Sequence, residues 1–202
     1  MFHSLTAKIK QKFLKDINYD YLFNTPASGE YICFDCETTG LNPKVHDIIS
    51  IGAVLIKDNK ILLSQKFERY VKPENSSGKE SIKIHHLRDC DLEDAEDIDV
   101  VIEEFLTFID SRPLIGYNLQ FDIKMVNKYI KPKIGISLPN KNIEVSSMYY
   151  NQITSINPYV YVDLKFDSIM KRLALPVLPK HNALNDAIMT AMIFLKLKNS
   201  RL

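Results

Sequence analysis

Asp35 and Glu37 are the first residues whose types and spacing could do chemistry. They stand in Tyr31-Ile32-Cys33-Phe34-Asp35-Cys36-Glu37, an otherwise apolar, aromatic and β-branched run that reads as a strand. The period of two puts both carboxylates side by side on one face. Adjacent buried carboxylates repel each other and are expensive to desolvate, and a divalent cation removes both penalties. The alternative is a strand end whose acids face water. Spacing alone does not choose, because Asp91-x-Glu93 and Asp94-x-Glu96 repeat it in polar surroundings. The same strand holds Cys33-x-x-Cys36, a redox or zinc spacing in other contexts. Here the odd separation points the thiols to opposite faces, so both read as small packing residues.

Two further stretches carry chemistry-bearing residues. In Gly116-Tyr117-Asn118-Leu119-Gln120-Phe121-Asp122, Asn118 is a plausible N-cap, which places Asp122 near the first turn of a helix. Alone, such an aspartate is usually a dipole partner. In His181-Asn182-Ala183-Leu184-Asn185-Asp186, the histidine precedes a helix whose Asp186 face also bears Ala183, Ala187 and Thr190. Small side chains there let the helix approach a sheet closely and present its carboxylate at the contact.

The ordered set Asp-x-Glu-Thr-Thr-Gly-Leu, Asn-x-x-Phe-Asp and His-x-Ala-x-x-Asp, running from Asp35 to Asp186, resembles the DnaQ-like, or DEDD, exonuclease superfamily in its histidine subclass. The resemblance implies an α/β, ribonuclease-H-like fold with a five-stranded mixed sheet flanked by helices. It implies that Asp35, Glu37, Asp122 and Asp186 are metal-binding carboxylates and that His181 is the general base. Thr38, Thr39 and Leu41 match positions that touch the terminal nucleotide, Leu41 as a wedge at the base. Asn118 and Phe121 match contacts of the second motif. Glu80 and His85, in Glu-x-x-x-x-His, are similar to nucleotide-contacting positions in the proofreading epsilon subunit of bacterial DNA polymerase III, although Arg88 stands where Thr or a small residue is common. Tyr117 departs from the family's usual His, which leaves a packing or substrate contact at that position open.

The implied reaction is hydrolysis of terminal phosphodiester bonds of DNA or RNA in the 3′→5′ direction, releasing nucleoside 5′-monophosphates. Four converging carboxylates need cations, and two Mg²⁺ or Mn²⁺ ions suit an all-oxygen ligand set. At ~3.5–4 Å apart, two such ions clamp the attacking and leaving oxygens of an in-line displacement. A histidine, which ordinarily titrates near ~6.5, suits proton removal from the attacking water. The expected substrate is a nucleic acid with a free 3′ end, preferably single-stranded. An RNA-trimming exoribonuclease and a catalytically inactive nucleic-acid-binding relative are the alternatives.

The elements that must position these residues are legible as patterns. Residues 2–17 carry Phe2, Leu5, Ile9, Phe13 and Ile17 at helical spacing among lysines. An amphipathic helix is expected there, within an extension over residues 1–28 that precedes an exonuclease domain over 29–202. It would dock on the domain, with a membrane-surface helix or a surface for a protein partner as the alternatives. Strands are expected at residues 31–37, 48–57 and 61–71, with a polar turn at Asp58-Asn59-Lys60. A helix over 100–109, a strand over 113–116 and a helix through Phe121, Met125 and Tyr129 follow. Ile143 to Ser146 reads as a fifth strand, and helices are expected near 164–175 and 183–198. Strands first, then strands alternating with helices, imply a mixed sheet.

Composition bounds the rest. The chain has 202 residues, 46% of them hydrophobic, enough for a single buried core. No apolar run reaches the ~20 residues of a membrane span, and no secretory h-region is evident. Three cysteines favour a reducing cytoplasm over a disulfide scaffold. Net charge is +1, but residues 1–110 hold 13 Lys and Arg against 20 Asp and Glu, and residues 111–202 hold 13 against 5. The acidic run from Asp89 to Glu104 reads as a solvated loop and helix face, and the basic half could track a phosphate backbone. The chain ends 16 residues after Asp186, which suggests a free-standing trimming enzyme.

Overall fold

The structure, a computed structural model, describes residues 9–74, 87 and 89–199. The central strand β1 (Glu30–Thr38) pairs antiparallel with β2 (Ile48–Lys57), which pairs antiparallel with β3 (Lys60–Tyr70). On its other side β1 pairs parallel with β4 (Leu114–Gly116), and β4 with β5 (Asn142–Glu144). The order β3-β2-β1-β4-β5 is the expected mixed five-stranded sheet. Asp58 and Asn59 join β2 to β3 with φ of 50° and 60°. That is the left-handed pair of a tight hairpin turn, and Asp and Asn tolerate it.

Among the described residues, five α-helices cover the sheet: α1 (Ile98–Ile109), α2 (Leu119–Ile134), α3 (Val145–Ile156), α4 (Phe166–Arg172) and α5 (Ala183–Asn199). Alternation along β1 divides the core. Ile32, Phe34 and Cys36 join α1 and α2 on one face, and Cys33 joins α3, α4 and α5 on the other. The two thiols are free and buried on opposite faces, as the odd spacing requires. Burial, with nearby carboxylates adding to it, pushes both well above the usual thiol range.

Two expectations are corrected. The fifth strand ends at Glu144, and the residues after it begin α3, which the sequence reading missed. Val145, Tyr149 and Ile153 are its buried stripe, but β-branched and aromatic residues mask the helical period. The helix expected over 2–17 lies partly outside the described residues. Within them, helical structure stops after Gln11, and a 3₁₀ helix takes over at Ile17–Phe23. The Lys15 N–H is diverted to the Ile134 carbonyl at 2.9 Å, and the Asp16 carboxylate caps Asn18 N–H. Leu22 is buried in the core beside α1 and α2 residues. No helix among the described residues is long and apolar enough to cross a membrane.

Candidate active site

Asp35 and Glu37 sit on the face of β1 that α5 covers, and Gly52 pairs with Asp35 across the ladder. A Cβ at Gly52 would lie 2.1 Å from the backbone nitrogen of Leu184 and 2.2 Å from the carbonyl carbon of Ala183. Glycine therefore lets the first turn of α5 rest directly on the sheet. Ala183, Ala187 and Thr190 are buried along the same helix. The contact delivers Asp186 to the strand: Asp35, Glu37 and Asp186 each offer a carboxylate oxygen within 4.8 Å of the others.

Asp122 arrives from α2, which packs on the opposite face. It is buried, and its Oδ1 accepts the Cys36 N–H at 3.1 Å. It lies outside the three-oxygen cluster but close enough that its charge acts on Asp35. Burial is the largest force on all four acids. It raises Asp35 well above the usual carboxylate range, helped by the charges of Asp122, Asp186 and Glu37. Burial and then Asp186 push Glu37 up to about 7. Burial pushes Asp122 up to about 8 against the opposing Cys36 hydrogen bond. Asp186 is raised by burial, against the lowering effect of the His181 N–H. Four carboxylates that resist ionisation, with only oxygen donors, fit hard divalent cations.

His181 precedes α5 in the left-handed conformation, φ 60°, which histidine adopts more readily than most residues. Its N–H donates to Asp186 Oδ2 at 3.1 Å, and the Asn182 side chain caps the helix by accepting from Asn185 N–H. Asp35, Tyr117, Lys165, Lys180, His181 and Asp186 line one cavity of about 390 Å³.

Thr38 ends β1 and Thr39 begins the β1–β2 loop, and both are buried. Thr39 N–H donates to the Asp47 carbonyl and Thr39 Oγ1 accepts the Asp47 N–H, each at 2.9 Å. The Asp47 carboxylate accepts from Lys128 Nζ at 2.6 Å and the Tyr129 hydroxyl at 3.1 Å. The loop is thus tied to α2, with Leu41 projecting from it at 84% exposure. Phe121 is half-buried against the α1–α2 core. Glu80 and His85 lie outside the described residues.

Asn118 holds the N-cap position in a left-handed conformation, but its side chain makes no capping bond. The cap comes from Glu144 at the end of β5. Its Oε1 accepts Asn118 N–H at 3.2 Å and its Oε2 accepts Leu119 N–H at 2.8 Å, while Oε1 also accepts from Ser146 N–H and its hydroxyl. Tyr117, where the family usually has His, donates its hydroxyl to the Leu164 carbonyl at 2.8 Å and packs edge-on against Phe166. Glu144, Gly52, Lys165 and Lys180 were not singled out from sequence. Only Gly52, a glycine inside an apolar strand, carried a local signal of close backbone approach.

The family model described as Exonuclease (RNase_T) matches residues 32–194. The chain belongs to this exonuclease family. The chain is 29% identical over 183 residues to the PolC-type DNA polymerase III of Thermotoga petrophila, covering 91% of this chain but only 13% of that protein. It is 30% identical over 173 residues to DNA polymerase III subunit epsilon of Rickettsia prowazekii, covering 84% of this chain and 74% of the subunit. Among solved structures it matches cell-death related nuclease 4 with TM-score 0.72 at 19% identity, over 85% of this chain and 64% of that one. Exonuclease I of E. coli in complex with a dT13 oligonucleotide matches with TM-score 0.70 at 14% identity, over 86% and 42%. Exonuclease X in complex with 5′ overhanging duplex DNA matches with TM-score 0.66 at 21% identity, over 84% and 91%. The DnaQ-like exonuclease resemblance and the ribonuclease-H-like α/β fold read from the motifs both hold.

Proposed function

We propose that this exonuclease domain removes nucleotides from the 3′ end of single-stranded DNA, with divalent metal ions, and releases nucleoside 5′-monophosphates. One observation carries the reading. Carboxylates from a central strand and from a helix 149 residues downstream meet within 4.8 Å, in a cavity that His181 also lines. Asp35, Glu37 and Asp186 would hold Mg²⁺ or Mn²⁺, with Asp122 supporting a second ion. Bound there, the cations would supply Lewis-acid stabilisation of an in-line phosphoryl displacement.

The chain's own residues do the remainder. His181 accepts the proton of the attacking water on an imidazole nitrogen. Lys165 and Lys180, in the cavity wall, place positive charge beside the phosphates. The pinned Thr38-Thr39 backbone and the projecting Leu41 receive the terminal nucleotide, with Phe121 and Asn118 on the α2 side. DNA is favoured over RNA because the PolC-type and epsilon relatives are DNA polymerase III components, and two solved neighbours carry DNA.

A panel of single-stranded DNA, duplex DNA and RNA, labelled at either end and digested with Mg²⁺, tests this. Mononucleotide release from the 3′ end of single-stranded DNA, blocked by a terminal 3′-phosphate, is expected. Release from the 5′ end, cutting of circular strands, or no Mg²⁺-dependent release would sink the proposal, and preference for RNA would reassign the substrate.

A further inference from the structure

A second cavity, of about 450 Å³, lies beside the first and is lined by Tyr149, Tyr161, Val162, Asp163, Lys171 and Arg172 among others. The two cavities share a wall. Asp167 lines the first and Ser168 the second, and neighbouring Cα atoms are only ~3.8 Å apart. The Tyr117 hydroxyl, in the first cavity, fastens this wall through the Leu164 carbonyl.

The lining chemistry points to a nucleic-acid strand. Among the described residues neither Lys171 nor Arg172 makes an ion pair. The one acid present, Asp163, already accepts from the Ser168 hydroxyl at 2.7 Å and from Lys165 N–H at 3.1 Å. Tyr161 is 87% exposed, so an aromatic ring stands in water in the same cavity wall as the two cations. Aromatic faces with adjacent basic groups are the means by which proteins hold single strands without reading sequence.

We infer that this cavity is a second subsite, which holds the single strand upstream of the active site by stacking a base on Tyr161 and contacting phosphates with Lys171 and Arg172. It rests on the proposed nuclease reading for its direction, but its binding can be measured without hydrolysis.

Fluorescence anisotropy of 5′-fluorescein-dT12 in EDTA, with wild type, Tyr161→Ala and a Lys171→Ala/Arg172→Ala double variant, tests it. Tyr161→Ala should weaken dT12 binding by roughly 5–150-fold, the span of one lost base stack. The double variant should flatten the plot of log affinity against log salt by about 0.7 per lost phosphate contact, which a merely structural role would not do. Thermal melting checks that both variants fold; Tyr161 is exposed enough that its replacement should leave Tm unchanged.

Unchanged dT12 affinity and salt slope in both variants overturns the subsite. So does an effect confined to phosphatidylserine vesicles, which would assign the surface to lipid. If wild type binds dT12 through these residues yet releases no mononucleotide with Mg²⁺, the subsite stands and the catalytic reading falls.

Discussion

Without cations, the acids at Asp35, Glu37, Asp122 and Asp186 hold their protons more tightly than free carboxylic acids, and burial is the main reason. Asp35→Asn keeps the shape and removes one charge from that set. Mg²⁺-dependent hydrolysis should fall by at least about 10²-fold, as for loss of one preorganised electrostatic group. In EDTA at pH 8 the same variant should melt a few degrees higher, since about 1 kcal/mol corresponds to ~2–4 °C for a chain of this size. An active variant, or one that melts lower, would remove Asp35 from the metal site. His181→Ala should lower kcat by ~10²–10⁴-fold with little change in Mg²⁺ affinity. A marked loss of Mg²⁺ affinity in that variant would make His181 a ligand instead. Asp35 and Glu37 were legible because acids in an apolar strand are conspicuous. Glu144 was not, because the N–H groups that it caps lie up to 26 residues away and meet it only in the fold.

At the scale of elements, the contact of α5 with β2 decides whether the acids meet. Gly52→Ala puts a methyl group where Ala183 and Leu184 backbone atoms already lie. A helix backbone cannot yield as a side-chain tip can. The substitution should cost about 1–3 kcal/mol of stability and should weaken Mg²⁺ binding, because Asp186 moves with its helix. Calorimetric titration of Mg²⁺ into folded Gly52→Ala checks the second effect; wild-type affinity would separate the glycine from the site. Strands, hairpin and the α5 helix were readable from period and turn residues. The helix α3 was not, since its Ser, Tyr and Thr residues favour other conformations locally and only burial of Val145, Tyr149 and Ile153 holds it.

Across the whole molecule, these acids set a pH dependence. Glu37 rises from 4.5 to about 7 and Asp122 from 3.8 to about 8. The metal-free native state therefore binds more protons than the unfolded chain over this interval. The stability these groups contribute is present in acid and is lost as pH rises through about 7–8. Glu30, lowered by Lys57 and Arg112, acts oppositely and weakens the fold only as pH falls below the ordinary carboxylate range. Tm in EDTA should accordingly decline as pH rises from about 4 to 8 and level off above that, and Mg²⁺ should flatten the decline. A metal-free Tm independent of pH would contradict the cluster. The three cysteines offer a way to watch the same event chemically. Cys90 is exposed, whereas Cys33 and Cys36 are sealed on opposite sides of the sheet, with thiols made less acidic by burial. An aromatic disulfide reagent should therefore titrate one thiol rapidly in the native protein. Cys36 donates its N–H to Asp122, so its slow thiol–disulfide exchange with the same reagent becomes a clock for opening at the acidic cluster. That clock should run more slowly when Mg²⁺ is added, giving a chromogenic readout of metal occupancy that needs no nucleic acid.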